Sequence, residues 1–301
     1  MSVGFAPAEP QTTTERVRQT VALLRRRGYA LPPARLAPLC LGGAMSERAV
    51  RAAVAACDDL SIAEGLVIHN DEAGTAQSIS ARAQGHDVDA PTYWQLALRF
   101  VRTLVFAAPF IRNVAIAGSL ASGGFRASDD IDLNLIVEDG HRHLAYVAVN
   151  VLGLAHALRH RAKPVDDLTR RPLAPRLMTA NLILERSQCF PLARQDEDMA
   201  FELLVAQPVF GHESMREVIE ANPRLLEHFP QLAARAGPLA IAPPPRRLPR
   251  SIYPSALDGA ARIVGESAWR YMQWTRRHRP VALARVAYVR STMRPYTLFE
   301  R

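Results

Sequence analysis

Two aspartates separated by one residue, Asp130 and Asp132, are the side chains in this sequence best placed to do chemistry. They alternate with Ile131 and Leu133, the pattern of a strand with one buried face, so both carboxylates are expected on the other face. Neighbouring carboxylates repel each other unless a cation lies between them, and their oxygens are the ligands that Mg²⁺ and Mn²⁺ prefer. The pattern predicts a divalent metal site. The alternative is an acidic turn at Asp129 and Asp130 with Asp132 on a solvated strand face.

A Gly-Ser pair, Gly118 and Ser119, precedes these aspartates, with ten residues between Ser119 and Asp130. It follows the apolar run 114–117, which is typical of a buried strand. Glycine lets a backbone approach a phosphate closely, and Ser119 with the adjacent N–H groups can donate to phosphate oxygens at the start of a helix. The spacing predicts a phosphate-binding turn beside the metal site.

The elements needed to hold these residues in place are predicted on both sides of them. Strands at 114–117, 131–137 and 177–185 alternate with helices at 89–110 and 141–160. This order indicates an α/β or α+β unit over residues 89–195.

The segment before this core is predicted to form a separate module. Residues 1–12 are expected to be a disordered leader, and residues 13–88 contain three short helices and a strand pair, the order of a winged helix. Such a module can bind DNA or serve as a packing element. Its acidic and basic residues nearly cancel, whereas nucleic-acid binding needs a positive surface, so the packing interpretation is favoured.

The region after the core, residues 196–301, is predicted to be helical, with a proline-rich linker at 237–254. The net charge of the chain is +8, and residues 246–301 hold twelve arginines against three acidic residues, so the rest of the chain is close to neutral. A mixture of aromatic and basic residues stands out: Trp269, Tyr271, Trp274, Arg276, Arg277 and Arg279. It predicts either a nucleic-acid grip by stacking and phosphate contact or a helix with buried aromatic and solvated arginine sides.

Composition excludes several classes of protein. The chain has 301 residues, 49% of them hydrophobic and 22% charged, which is typical of a globular protein with a real core. The three cysteines are widely spaced and form no disulfide or zinc pattern. With no signal-like or membrane-spanning segment in the sequence, a cytoplasmic location and no membrane partner are expected.

The Gly-Ser pair followed after about ten residues by Asp-x-Asp resembles the motif of the nucleotidyltransferase superfamily of the DNA polymerase beta type. The resemblance implies an α+β core with a small mixed sheet flanked by helices. It also implies that Asp130 and Asp132 are catalytic and hold Mg²⁺ or Mn²⁺, with an NTP as co-substrate. It implies that Gly118 and Ser119 bind the β- and γ-phosphates. In small-substrate transferases of this type an arginine after the Gly-Ser helix contacts the triphosphate, and Arg126 is the nearest match.

Members of this superfamily commonly carry a third carboxylate on the next strand, and this chain departs from that pattern. Asn181 stands where the carboxylate is expected, and its carbonyl oxygen can coordinate a cation but cannot act as a base. Glu185 lies at the end of the same predicted strand, and Asp166 and Asp167 are alternatives in the preceding loop.

The resemblance extends over residues 15–235. The N-terminal helices, the segments 180–184, 200–204 and 207–211, Asn222 and the Pro230 region are similar to a group of poorly characterised bacterial nucleotidyltransferase-domain proteins. This adds information on the fold and little on the substrate.

Three functions are consistent with the sequence. The first is metal-dependent transfer of an NMP from an NTP to a hydroxyl acceptor with release of pyrophosphate. The second is a catalytically degenerate nucleotidyltransferase fold acting as a nucleotide sensor or scaffold, and the third is a nucleic-acid-binding regulator. The acceptor stays open between a small molecule, a protein and an RNA.

Overall fold

The computed structural model describes residues 12–160, 177–234, 240–241, 246–293 and 295–299. Most of the predicted leader, the alternative carboxylates Asp166 and Asp167, and part of the predicted linker at 237–254 lie outside these ranges. The Arg276 side chain lies outside the described part as well.

The N-terminal part has three helices followed by a hairpin: α1 (Thr13–Arg26), α2 (Pro33–Leu36), α3 (Glu47–Ala55), β1 (Leu60–Ala63) and β2 (Leu66–His69). Ser46 caps α3, because its side chain accepts the Ala49 N–H. The hairpin turns at Glu64 and Gly65, both with positive φ. An antiparallel bridge from Leu31 to Val67 adds a third short segment beside it.

A long helix, α4 (Ala76–Ala107), connects this part to the sheet. It starts well before the predicted residue 89 and crosses the boundary expected at residue 88. Its first half buries only Ala76, Ser80 and Ala90, so no apolar stripe reveals it in the sequence, whereas its second half buries Phe100 and Leu104 completely. Pro91 lies inside the helix, where a proline normally indicates a boundary.

The central sheet contains the three predicted strands and one more: β3 (Ile111–Ala117), β4 (Ile131–Val137), β5 (Met178–Glu185) and β6 (Gln207–Phe210). The strand order is β5-β4-β3-β6. The β4–β5 pair is parallel and the other two pairs are antiparallel, so the sheet is mixed and the α+β prediction is confirmed. Strand β6 joins the sheet from the region after residue 195, which is predicted to be helical. Pro208 argued against a strand in the sequence, because proline cannot donate a backbone hydrogen bond to a neighbouring strand. It is tolerated here because β6 lies at the edge of the sheet.

The remaining helices pack around this sheet. A short α5 (Gly118–Ser122) follows β3, and the others are α6 (Arg142–Ala157), α7 (Glu197–Val205), α8 (His212–Ala221), α9 (Arg224–His228), α10 (Ala256–Arg276) and α11 (Pro280–Met293). Pro280 begins α11, where its fixed φ suits a first helical position.

Helix α6 buries a different face from the one its large residues predict. Val151 and Leu154 are 61% and 52% exposed, whereas Ala145 and Val149 are buried. Apart from Tyr146, the buried residues of α6 are small or medium-sized, and the helix lies close to β5. A Cβ on Gly153 would lie 3.6 Å from the Met178 carbonyl oxygen.

Two apolar cores cover the two faces of the sheet. One contains α4, α6 and the residues of β4 that include Leu133 and Leu135. The other contains the N-terminal helices, α7, and the opposite face of the sheet, including Ala117 and Ile136. The N-terminal part therefore shares a core with the sheet, which agrees with its interpretation as a packing element. No helix in the described ranges is both long and apolar enough to cross a membrane.

Helix α10 is fixed to the start of α6 by a carboxylate. Asp258 accepts the Leu144 N–H at 2.8 Å and contacts His143 Nδ1 at 2.7 Å. An acid at a helix N-terminus is stabilised by the helix dipole. Burial acts to raise the pKa of Asp258, but the hydrogen bonds from His143 and from the Leu144 N–H outweigh it and lower that pKa below 3.8.

Because the pKa of Asp258 is lowered in the folded state, its contribution to stability is present above the unfolded value and is lost as the pH falls through the folded one. We expect Asp258→Asn to lower the free energy of unfolding by about 1 kcal/mol at neutral pH. The difference from wild type should shrink as the pH is lowered below about 4. Urea unfolding at several pH values measures it, with Asp71→Asn, an exposed acid, as the control. A difference that does not change with pH would contradict the assignment.

Candidate functional site

The Gly-Ser turn lies against the first aspartate of β4. Gly118 follows β3 with φ of 61°, and α5 begins there, which confirms the predicted tight junction between strand and helix. In the β3–β4 pair, Ala117 is opposite Asp132. A Cβ on Gly118 would lie 2.9 Å from Cγ of Asp132 and nearer still to its Oδ2. Glycine is therefore required here both by the backbone conformation and by the carboxylate that occupies the space.

Asp132 is oriented from its other side by β5. Thr179 lies opposite it in the parallel pair, and the Thr179 hydroxyl donates to Asp132 Oδ1 at 2.7 Å. The Asp132 side chain is thus held between the turn and the neighbouring strand while the residue stays half-buried.

The alternation predicted for this strand is confirmed. Ile131 and Leu133 are fully buried, whereas Asp130 and Asp132 are both partly exposed. Asp130 lies one residue before β4 begins. Asp130 and Asp132 thus lie at the end of β4 that meets the Gly-Ser turn.

Asp129 closes the turn rather than facing a ligand. Its Oδ2 accepts hydrogen bonds from the Ser119 hydroxyl at 3.1 Å and from the Arg126 N–H at 3.1 Å. The Ser119 hydroxyl is thus directed at Asp129, and Arg126 contributes its backbone N–H here while its side chain is exposed. Phosphate binding by these two residues stays a prediction.

Arg82, in the first half of α4, is the residue of this site that the sequence analysis missed. It forms an ion pair with Asp129 at 3.2 Å, donates to the Gly28 carbonyl at 3.2 Å and makes a short hydrogen bond to the Gly124 carbonyl. Its side chain is only 15% exposed. It lies far from Ser119 in the sequence and in a segment without apolar periodicity, so no sequence signal pointed to it.

Asn181 belongs to a buried polar cluster deeper on the same face of the sheet. Its amide donates to Asn134 Oδ1 at 3.1 Å and to Glu202 Oε1 at 3.0 Å, and the Asn134 amide donates to Glu202 Oε1 at 2.9 Å. The position expected for a third carboxylate is therefore occupied by the amide of Asn181, which is hydrogen-bonded to the carboxylate of Glu202.

Glu202 is ion-paired with Arg27, which follows α1, at 2.7 Å, and its side chain is 4% exposed. Burial acts to lower the pKa of Arg27, but the charge and hydrogen bond of Glu202 together with the nearby Tyr29 and Tyr288 outweigh it and raise that pKa above its ordinary value. Glu202 could have been noticed as the one acid within the apolar run 199–205. Glu185, the other acid on β5 considered for the third carboxylate, accepts the Gly140 N–H and caps a short helical turn. These contacts give it a structural role.

The donor set at the end of β4 suits a hard divalent cation. Mg²⁺ is commonly held by one or two carboxylates together with substrate phosphates and water, and Asp130 and Asp132 supply the two carboxylates. In the part of the chain that the structure describes, His, Cys, Asp and Glu side chains do not gather in threes around one metal position. A cation held by these two carboxylates would complete its coordination with phosphate oxygens or water.

Comparisons with protein-family models, with curated proteins and with solved structures find no match for this chain.

Gly118→Ala tests the contact between the turn and Asp132, and Gly28→Ala is a matched control. Both glycines have positive φ, but a Cβ on Gly28 would meet no atom within 4 Å. Gly28→Ala should therefore cost about 1–2 kcal/mol of stability from backbone strain alone. Gly118→Ala should cost about 1–3 kcal/mol more, because the methyl group also displaces a carboxylate. Urea unfolding of both variants measures the difference, and equal costs would show that the contact is not formed.

Proposed function

We propose that this chain is a divalent-cation-dependent nucleotidyltransferase, which moves an NMP from an NTP to a hydroxyl acceptor and releases pyrophosphate. In this proposal the mixed sheet is a nucleotidyltransferase core and the N-terminal part is a winged-helix-like module. The observation that carries the proposal is the contact between Gly118 and Asp132. It joins the two halves of the Gly-Ser and Asp-x-Asp pattern at one end of the β3–β4 pair.

The residues around this contact could bind different parts of a metal–nucleotide complex. Asp130 and Asp132 would hold the cation, which when bound neutralises charge on the triphosphate. The backbone of the Gly118 turn can approach phosphate oxygens because no Cβ is present. Arg82 places a positive charge beside the same turn. Thr179 keeps the Asp132 carboxylate in one orientation.

The N-terminal module contributes to the site as a scaffold in this proposal. The Gly28 carbonyl accepts a hydrogen bond from Arg82, and Arg27 neutralises Glu202 beneath the two aspartates. Its exposed helix α3 carries an internal Glu47–Arg51 ion pair instead of an open basic surface. This favours a packing role over DNA binding.

A specific observation favours a second candidate, a degenerate transferase fold that binds nucleotide without transferring it. The residue opposite Asp132 on β5 is Thr179, and its hydroxyl cannot act as a general base in the way a carboxylate can. Asn181 carries an amide and cannot act as a base. The carboxylate to which it donates, Glu202, already forms an ion pair with Arg27. Binding without turnover would follow.

The two candidates are separated by incubating the protein with each labelled NTP and Mg²⁺ or Mn²⁺, together with RNA, small-molecule hydroxyl acceptors and the protein itself. Labelled product with pyrophosphate release supports the enzyme. Metal-dependent nucleotide binding without product supports the sensor, and no binding of any NTP contradicts both.

We expect Asp130→Asn and Asp132→Asn each to weaken Mg²⁺-dependent NTP binding by at least about tenfold, because each removes one anionic ligand of the cation. Both should leave the fold intact, since both residues are partly exposed. Isothermal titration with and without Mg²⁺ measures the effect, and Asp71→Asn is the charge-matched control in the N-terminal part. Wild-type Mg²⁺-dependent affinity in the double variant would refute the metal assignment.

A further inference from the structure

Helix α10 exposes two aromatic rings one turn apart. Tyr271 and Trp274 are 66% and 55% exposed, and their rings are stacked with centroids 6.1 Å apart and planes 27° apart. The opposite side of the helix faces the protein, where a Cβ on Gly265 would collide with Phe299 and Tyr146. Sequence reasoning left open whether the aromatic side of this helix is buried, and the structure places these two rings in solvent.

A cation lies on this aromatic pair. The Arg277 guanidinium is 4.6 Å from the centroid of the Trp274 ring. This cation–π interaction holds the Trp274 ring and the Arg277 charge next to each other on the same surface.

The segment around these rings is basic in sequence. Residues 267–299 hold seven arginines and no aspartate or glutamate. The two described acidic residues earlier in α10 are already engaged, Asp258 with His143 and Glu266 with Arg270. A polyanion would therefore approach this end of α10 without meeting a carboxylate from the helix itself.

Stacked, exposed aromatic rings beside arginines suit a ligand that offers flat π faces and regular negative charge. Bases of a single strand stack on aromatic side chains, and the phosphates between them are neutralised by arginine. In a duplex these faces are covered by neighbouring base pairs. We propose that Tyr271, Trp274 and Arg277 form a binding surface for single-stranded nucleic acid, independent of the chemistry at Asp130 and Asp132.

The experiment measures fluorescence polarisation of a labelled oligo(U) of about 16 nucleotides with the full chain at about 50 mM and about 200 mM salt. The expected result is binding at low salt that weakens steeply as salt is added, together with quenching of tryptophan fluorescence. The double variant Tyr271→Ala, Trp274→Ala should lose at least about tenfold in affinity. Arg277→Ala should reduce the salt slope by about one.

The chain offers a matched control in Phe190, which is 40% exposed and lies under Arg186 at 5.9 Å. That pair faces a shallow surface that includes Glu217 and Glu220, so it carries the same ring-and-cation geometry in an acidic setting. Phe190→Ala should leave oligo(U) binding unchanged. Inorganic polyphosphate, which has charge and no bases, should bind wild type and the double aromatic variant alike.

Three results would overturn the proposal. The first is no oligo(U) binding by wild type at low salt, which would leave a protein partner as the better occupant of this surface. The second is equal affinity of wild type and the double aromatic variant. The third is an equal loss of oligo(U) and polyphosphate binding in that variant, since it would mean that stacking is not involved. Each is independent of NTP binding at the aspartates, and circular dichroism of the variants checks that they are folded.

Discussion

The Asp132 carboxylate lies where a side chain on Gly118 would begin, and the geometry of the candidate site depends on this contact. It requires β3 and β4 to pair with Ala117 opposite Asp132, and it requires the chain to leave β3 with a positive φ. Thr179 then sets the direction of the carboxylate from β5. A change in the register of either strand pair would therefore separate the turn from the acid.

A buried polar layer beneath this contact joins the N-terminal part to the sheet. Arg27 and Glu202 are a nearly buried ion pair, and amides of Asn134 and Asn181 satisfy the remaining oxygen of Glu202. Removing one member of such a pair leaves an uncompensated buried charge, which is strongly destabilising. The N-terminal helices are thus coupled to the site face by electrostatics as well as by the apolar core that they share with α7.

The sequence predicts those parts of the fold that carry a strong local signal. The alternation of Asp130 and Asp132 with buried neighbours and the apolar run before Gly118 correctly placed the central strands. Elements without such a signal were missed: β6 because of Pro208, and the first half of α4 because it buries few residues. Within the site, the motif residues were found because their spacing is local, whereas Arg82 and Glu202 reach it only through tertiary folding.

The central claim is that Asp130 and Asp132 hold a divalent cation together with a nucleoside triphosphate at the Gly118 turn. A crystal structure with Mn²⁺ and a non-hydrolysable NTP analogue, using anomalous scattering to locate the metal, tests it most directly. The account predicts an anomalous peak within about 2.5 Å of an oxygen of each carboxylate and in contact with the analogue's phosphates. A bound analogue with the metal away from both aspartates would contradict it.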